Sequence, residues 1–300
     1  MALHGFPGQY GKQRETGMWS GSTPASPTAI TIAAAATIGV PTATPVVLIA
    51  STTFDTTWVR ITNVAALANS GLRGDVTIEI MAGGAGAEVP IIGPLLFGGR
   101  PAYSSYTLPI TIPAGTRITA RVAAGVASRS TTWMFETFGS PNRHMDEMPS
   151  RWIGYGVTVT SGAGAYGTAI TPGNTNTWGS WTAIGAGTTY AHRLWLPMVA
   201  IRTATVITAQ SYATQFAIAS TTDAATELTN STGVFRGPNL TGSTTEQLGG
   251  WLTATNPVRT GVEDLIYAPM NDGAAISCRA LATGTADANA LGVAMLGAVM

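Results

Sequence analysis

Three tryptophans in predicted loops are the residues of this sequence best suited to bind a ligand. Trp178, Trp181 and Trp251 lie in or beside segments rich in glycine, serine and threonine. An exposed indole ring can stack on a sugar or bury itself in a contact between proteins. We therefore treat these three residues as candidate contacts for a glycan or a partner protein. The tryptophans inside predicted strands are expected in the core instead: Trp58, Trp133 and Trp195.

Two other patterns could carry chemistry but lack the context that chemistry needs. Residues 162–167 match G-x-G-x-x-G, yet Pro172 and Gly173 follow where a dinucleotide site requires a helix. Residues 143–147, Arg-His-Met-Asp-Glu, put an imidazole beside two carboxylates, but adjacent side chains of an extended connector diverge. We expect neither a cofactor nor an enzymatic activity.

Metal and thiol chemistry is limited by the residue counts. The sequence holds three histidines, His4, His144 and His192, and a single cysteine, Cys278. One chain cannot build a histidine-rich metal site from them, although a symmetric trimer could bring three copies of one histidine to its axis. A lone cysteine in a predicted strand is expected to be a small buried apolar residue.

The composition indicates a protein that works within an assembly. Only 10% of the 300 residues are charged, with 15 basic and 15 acidic side chains, against about a quarter in an ordinary globular domain. Because neither sign of charge is in excess, the overall charge does not indicate binding to nucleic acid or to an anionic membrane. The longest apolar run, residues 290–300, is shorter than the roughly 20 residues of a membrane span. We expect no membrane insertion and interpret this run as the last strand or pair of strands.

A repeated stretch predicts that the chain contains two copies of one domain. Residues 112–122 return as residues 271–280, so that Gly115 matches Gly273 and Arg121 matches Arg279. Residues 75–80 match 215–219, and residues 48–54 match 184–190, in the same order along the chain. Three matches in one order indicate an internal duplication.

Short runs of β-branched and aromatic residues, bounded by turn residues, continue from Thr28 to the end of the chain. No amphipathic helix lies between them. The pattern predicts an all-β fold of two tandem antiparallel β-sandwich domains, jelly-roll-like and related by the duplication. We place the arm at 1–27, the first sandwich at 28–139, a linker at 140–155 and the second sandwich at 156–300, with an insertion near 239–263.

The N-terminal 27 residues are rich in glycine and proline and show no strand or helix period. Such a segment is expected to be irregular by itself. We predict an arm that docks on a neighbouring subunit, with Phe6, Tyr10 and Trp19 as candidate contacts. The alternative is that the arm folds back on its own sandwich.

These features together resemble the virion structural proteins of tailed bacteriophages, of the tail fibre, head spike or capsid decoration type. The phrase at residues 108–118, Leu-Pro-Ile-Thr-Ile-Pro-Ala-Gly-Thr-Arg-Ile, and the glycine-rich loop at 82–88 are similar to phrases in such proteins. The resemblance implies a virion protein assembled in the host bacterial cytoplasm, a homo-oligomer with a trimer favoured, and docking on other virion proteins through the arm. The alternative function is a carbohydrate-binding adhesin module that recognises a host-surface glycan.

Overall fold

A computed structural model describes residues 16–19, 29–63, 76–97, 104–125, 127–139, 148–157, 167–185, 187–201, 210–219, 233–237, 240–242, 247–248 and 265–300. This part of the chain contains strands and turns but no helix. Its strands are β1 Thr16–Trp19, β2 Ile30–Ala33, β3 Val46–Ile49, β4 Thr56–Asn63, β5 Val76–Gly83, β6 Val89–Phe97, β7 Ser104–Ile112, β8 Arg117–Ala124, β9 Ser130–Gly139, β10 Arg151–Tyr155, β11 Thr168–Ile170, β12 Thr182–Gly185, β13 His192–Ile201, β14 Gln210–Ala219, β15 Gly233–Arg236, β16 Leu240–Gly242, β17 Gln247–Leu248, β18 Ile266–Met270, β19 Ala275–Ala282 and β20 Leu291–Val299.

The first half of the chain folds as an eight-stranded sandwich of two sheets. One sheet has the order β2-β9-β4-β7, and the other has the order β3-β8-β5-β6. All of these neighbours are antiparallel. This strand order is that of a jelly roll, in which successive strands alternate between the two sheets except for the hairpin of β5 and β6.

The second half repeats the same order strand for strand. Its sheets run β11-β20-β13-β18 and β12-β19-β14-β15, with the short strands β16 and β17 added beside β14. The prediction of two jelly-roll-like sandwiches related by duplication is confirmed. One segment match needs correction: Arg121 pairs with Glu79, and its counterpart Arg279 pairs with Gln215. The segment matched with 215–219 is therefore 79–83 and not 75–80, a shift of four residues.

The two copies of the repeated stretch build the same turn. Gly115 and Gly273 have φ values of 80° and 79°, a left-handed conformation that glycine adopts without strain. Each glycine N–H donates to a threonine carbonyl, that of Thr52 or that of Thr188, at 2.7 Å. The hydroxyl of the same threonine then accepts the N–H of the next residue at 3.0 Å. The duplication thus preserves the turn together with the hydrogen bonds that hold it.

The segment predicted to be an irregular arm contains a strand. β1 pairs antiparallel with β9 of its own sandwich, from Thr16 opposite Gly139 to Trp19 opposite Glu136. For these four residues the fold-back alternative is correct and the prediction of irregular structure is wrong. Phe6 and Tyr10 lie outside the described residues.

The last five residues of the predicted linker also form a strand, and that strand joins the two sandwiches. β10 pairs antiparallel with β20 of the second sandwich and parallel with β6 of the first, with Trp152 opposite Ile92. A continuous nine-stranded sheet results. The backbones approach so closely that a Cβ on Gly154 would lie 2.6 Å from the carbonyl oxygen of Gly93. We call this junction of β10 and β6 the seam.

Apolar packing continues across the seam. One hydrophobic cluster combines the core of the first sandwich with apolar residues of the second, among them Met198 on β13 and Leu296 on β20. A second cluster fills the interior of the second sandwich. The C-terminal apolar run forms one buried strand, β20, with β13 on one side and β10 and β11 on the other. Within the described residues, no helix is long and apolar enough to cross a membrane.

Candidate ligand-binding site

The structure brings two of the three candidate tryptophans together on one arginine. The guanidinium of Arg279, on β19, lies 4.7 Å from the ring centroid of Trp181 and 5.1 Å from that of Trp178. All three side chains are half-buried. A cation held against indole faces at these distances is stabilised by the ring quadrupoles. We call these three residues the Trp-Arg-Trp cluster.

A tight loop holds the two tryptophans beside β19. The N–H groups of Gly173 and Gly179 both donate to the carbonyl of Ala280, at 2.9 and 2.8 Å. Gly173 has no room for a side chain, since a Cβ there would lie 2.2 Å from the carbonyl oxygen of Thr177. Pro172-Gly173-Asn174 therefore begins a tight loop that packs against β19, and not a helix.

The side-chain pair that Arg279 forms across β19 and β14 differs by one charge from its counterpart in the first sandwich. There, Arg121 donates two hydrogen bonds to the Glu79 carboxylate and forms an ion pair. In the second sandwich, Arg279 donates through Nε to the neutral Oε1 of Gln215 at 2.9 Å. Partial burial lowers the pKa of Arg279, but a guanidinium stays charged in proteins. Arg279 therefore presents a positive charge with no carboxylate partner among the described residues.

A half-buried charge of this kind favours an anionic partner. Arg279 can pair with a carboxylate or a phosphate, and a flanking indole can stack on a sugar ring. The buried Nε1–H of Trp181 has no acceptor in the described part of the chain. The arrangement suits an acidic sugar or an acidic side chain of another protein.

Sequence reasoning found the tryptophans but missed Arg279 and Gln215. A usable signal existed, since Arg121 and Arg279 match in the repeat. The match of residues 75–80 with 215–219 hides the exchange of Glu79 for Gln215, because it is four residues out of register with the strand pairing. Trp251 and most of the predicted insertion lie outside the described residues, and of Trp19 only the backbone strand is described.

His192 is buried within its own chain, so it cannot meet its copies on the symmetry axis of a trimer. Its side chain is fully buried, and its Nε2 lies 2.6 Å from the hydroxyl of Tyr155. Burial lowers the pKa of His192 and raises the pKa of Tyr155 to about 12, so both are neutral at pH 7. His192 also lines a cleft of about 530 Å³, together with Tyr190, Arg193 and Asp272. His4 and His144 are outside the described residues.

Cys278 lies in the core of the second sandwich, as the sequence predicts. The residue is fully buried, and burial raises the pKa of its thiol. The thiol is therefore protonated at neutral pH and has no access to solvent.

Comparison with known proteins gives distant structural likenesses only. No family model matches the chain, and neither does any curated protein. PNGF-II is similar with 9% identity and a TM-score of 0.37 over 90% of this chain and 65% of that one. The STIV MCP, from the Sulfolobus turreted icosahedral virus, has 8% identity and a TM-score of 0.34 over 90% and 95%. PNGase F, a glycosylasparaginase from Flavobacterium meningosepticum, has 12% identity and a TM-score of 0.31 over 91% and 96%.

The coverage of these matches is uneven. This chain spans just under two thirds of the length of PNGF-II and nearly the whole length of the other two. Identities and TM-scores of this size carry no inference about ligand, activity or partner. The function has to be argued from the geometry of this chain.

Proposed function

We propose that this chain is a non-enzymatic structural component of a virion, of the tailed-phage fibre, spike or decoration type. In this role it associates with copies of itself and docks on other virion proteins through its N-terminal segment. It is assembled in the bacterial cytoplasm and becomes part of the particle. The observation that carries the proposal is the seam, because it shows that one sandwich of this chain is built to extend the sheet of another.

The seam resembles the interfaces of permanent protein complexes. It combines a parallel strand pairing with a buried apolar cluster to which both sandwiches contribute. Obligate interfaces between proteins have this character, resembling a domain core cut in half. A chain whose two halves already associate in this way has surfaces suited to association with further copies.

The described charges support a structural role more than a catalytic one. The three ion pairs, Arg60–Glu136, Arg117–Glu88 and Arg121–Glu79, all lie on the first sandwich and connect neighbouring strands or a strand and a turn. Their carboxylates are therefore neutralised individually and do not converge on one cleft. A general acid and base pair would need two such groups facing a common substrate position.

The first test is the mass of the native assembly. We expect the full chain to form a homo-oligomer of defined mass in native mass spectrometry and sedimentation. Because so few residues are charged, the oligomer should persist at 1 M salt, where surface ion pairs are screened. A chain that stays monomeric at its highest soluble concentration would contradict the proposed role.

A second candidate function, recognition of a host-surface glycan, is favoured by the Trp-Arg-Trp cluster. Two indoles and an unneutralised guanidinium on the exposed side of a sheet match the needs of an acidic sugar. A virion component could also carry this function, so the two candidates are compatible.

Substitutions at the cluster test this second function. On a glycan array that includes sugars with carboxylates, we expect Arg279→Gln to weaken binding about 10-fold to 100-fold, the size of one charge-assisted hydrogen bond. Trp181→Ala should weaken binding similarly through lost stacking. Arg121→Gln alters the counterpart that lacks the tryptophans and should leave binding unchanged. If the unaltered protein binds no glycan, the second function is excluded.

A further inference from the structure

We propose that β1 of one copy of this chain pairs in parallel with β15 of a second copy, and so repeats the seam between molecules. This inference rests on the proposed self-association and names the surfaces that carry it. The partner is a second copy of this chain, because the proposed pairing has the same geometry as the parallel pairing of β10 with β6 within one chain.

The first step is that β1 and β10 are the same strand of the two sandwiches. Each pairs antiparallel with the last strand of its own sandwich: Thr16 is opposite Gly139, and Arg151 is opposite Val299. The bulge in the pairing of β4 with β7 matches the bulge in the pairing of β13 with β18, which aligns β4 with β13. The registers of β4 with β9 and of β13 with β20 then make Gly139 and Val299 equivalent positions. Thr16 therefore corresponds to Arg151, and Gly17 corresponds to Trp152.

The second step is that β15 and β6 are also the same strand of the two sandwiches. β6 pairs with β5, and β15 pairs with β14 in the equivalent place, where the short strands β16 and β17 lie beside it. Ile80 is opposite Ile92, and its counterpart Phe216 is opposite Phe235. Phe235 therefore corresponds to Ile92, the residue that lies opposite Trp152 in the seam.

The third step is that a single chain forms the junction of β10 with β6 but, in its described residues, no junction of β1 with β15. β10 occupies the edge of β6, whereas in the described residues β1 pairs only with β9 and β15 only with β14. Burial reflects this difference. Ile92, covered at the seam, is 0% exposed, but its counterpart Phe235 is only half-buried, and the neighbouring Val234 is 40% exposed.

An apolar edge strand that is left open is a surface prepared for pairing. Proteins usually protect such edges with charges, prolines or bulges. The strand Thr16-Gly17-Met18-Trp19 contains no charged residue and no proline, and β15 contains no proline and a single charged residue, Arg236, at its C-terminal end. The two edges lie on different sandwiches, so the contact is head-to-tail and links copies into a closed ring or a filament.

The proposed register gives a direct crosslinking test. Transferring the seam to the intermolecular pair puts Gly17 opposite Phe235 and Thr16 opposite Val234. Neighbouring strands lie about 5 Å apart, within the Cα separation that a disulfide spans. We would co-express two full-length chains of different tag length, one with Thr16→Cys and one with Val234→Cys, and oxidise them with oxidised glutathione. The native Cys278 is fully buried and does not compete.

We expect a disulfide-linked heterodimer on a non-reducing gel, at least 10-fold above a control that combines Thr16→Cys with Tyr267→Cys. Tyr267 is 60% exposed but lies on β18, away from the proposed contact. Crosslinking that is equal in both combinations overturns the proposal. An oligomer that forms without the Thr16–Val234 crosslink also overturns it but leaves the structural role intact, whereas a monomeric chain overturns both.

Discussion

Replacing Trp152 with alanine is expected to lower the free energy of unfolding by about 3 to 5 kcal/mol, the usual cost of removing a large buried aromatic side chain. Trp152 lies on β10 at the seam and is 1% exposed. Its Nε1–H donates to the carbonyl of Pro109, on β7, at 2.8 Å. The substitution would therefore remove a large part of the cluster shared by the two sandwiches and leave that carbonyl without its donor.

The same substitution should also change how the protein unfolds. Since the shared cluster couples the two sandwiches, we expect one cooperative transition in denaturant for the unaltered chain and two for the alanine variant. Trp152→Phe is the matched control, because it keeps a ring in the cluster and loses only the hydrogen bond. It should cost about 1 to 2 kcal/mol beyond the small loss of volume. A loss below 1 kcal/mol for the alanine variant would show that the seam is not a stabilising junction.

Replacing Arg60 with leucine is expected to destabilise the protein by about 3 to 5 kcal/mol, because it leaves a buried carboxylate without its partner. Arg60 on β4 donates through Nε and Nη2 to both carboxylate oxygens of Glu136 on β9. Glu136 is 3% exposed. The guanidinium also lies 5.5 Å from the ring centroid of Phe138, a contact that the substitution removes.

The second sandwich supplies the matched control. Strand registers place Leu196 at the position of Arg60 and Leu296 at the position of Glu136, and these leucines are also cross-strand partners. The double variant Arg60→Leu, Glu136→Leu reproduces that pair, so we expect it to recover most of the stability lost by the single variant. Denaturant unfolding of the four proteins gives the coupling energy as a double-mutant cycle. If the double variant were as unstable as the single one, the loss of stability could not be assigned to the unpaired carboxylate of Glu136.

The fold class followed from local patterns. Alternating apolar and polar residues around Gly115 and Gly273 predicted strands and turns, because the exposure of successive side chains in a strand alternates whatever the partner strand is. The duplication was visible for a similar reason: copied turns keep copied residues. Both sandwiches, and the placement of Cys278 in a core, could therefore be predicted.

The strands at the junctions could not be predicted. β1 and β10 follow glycine-rich or charged segments, are short and show no clear alternation. Their pairing partners are distant in the sequence: β9 for β1, and β20 and β6 for β10. What makes Thr16 to Trp19 a strand is the free edge of β9, and what makes Arg151 to Tyr155 a strand is the space between β20 and β6.

The sequence by itself determined that this protein has two β-sandwiches with few charges and tryptophans in the loops of the second. Only the tertiary structure decided that β10 fuses the two sheets into one and that Arg279 lies against both Trp178 and Trp181. It alone also decided that, within the described residues, β1 and β15 each have one unpaired edge. The physical reason is that composition and alternation are properties of neighbouring residues. Strand register, by contrast, is set by which distant backbone groups and apolar faces meet in the folded chain.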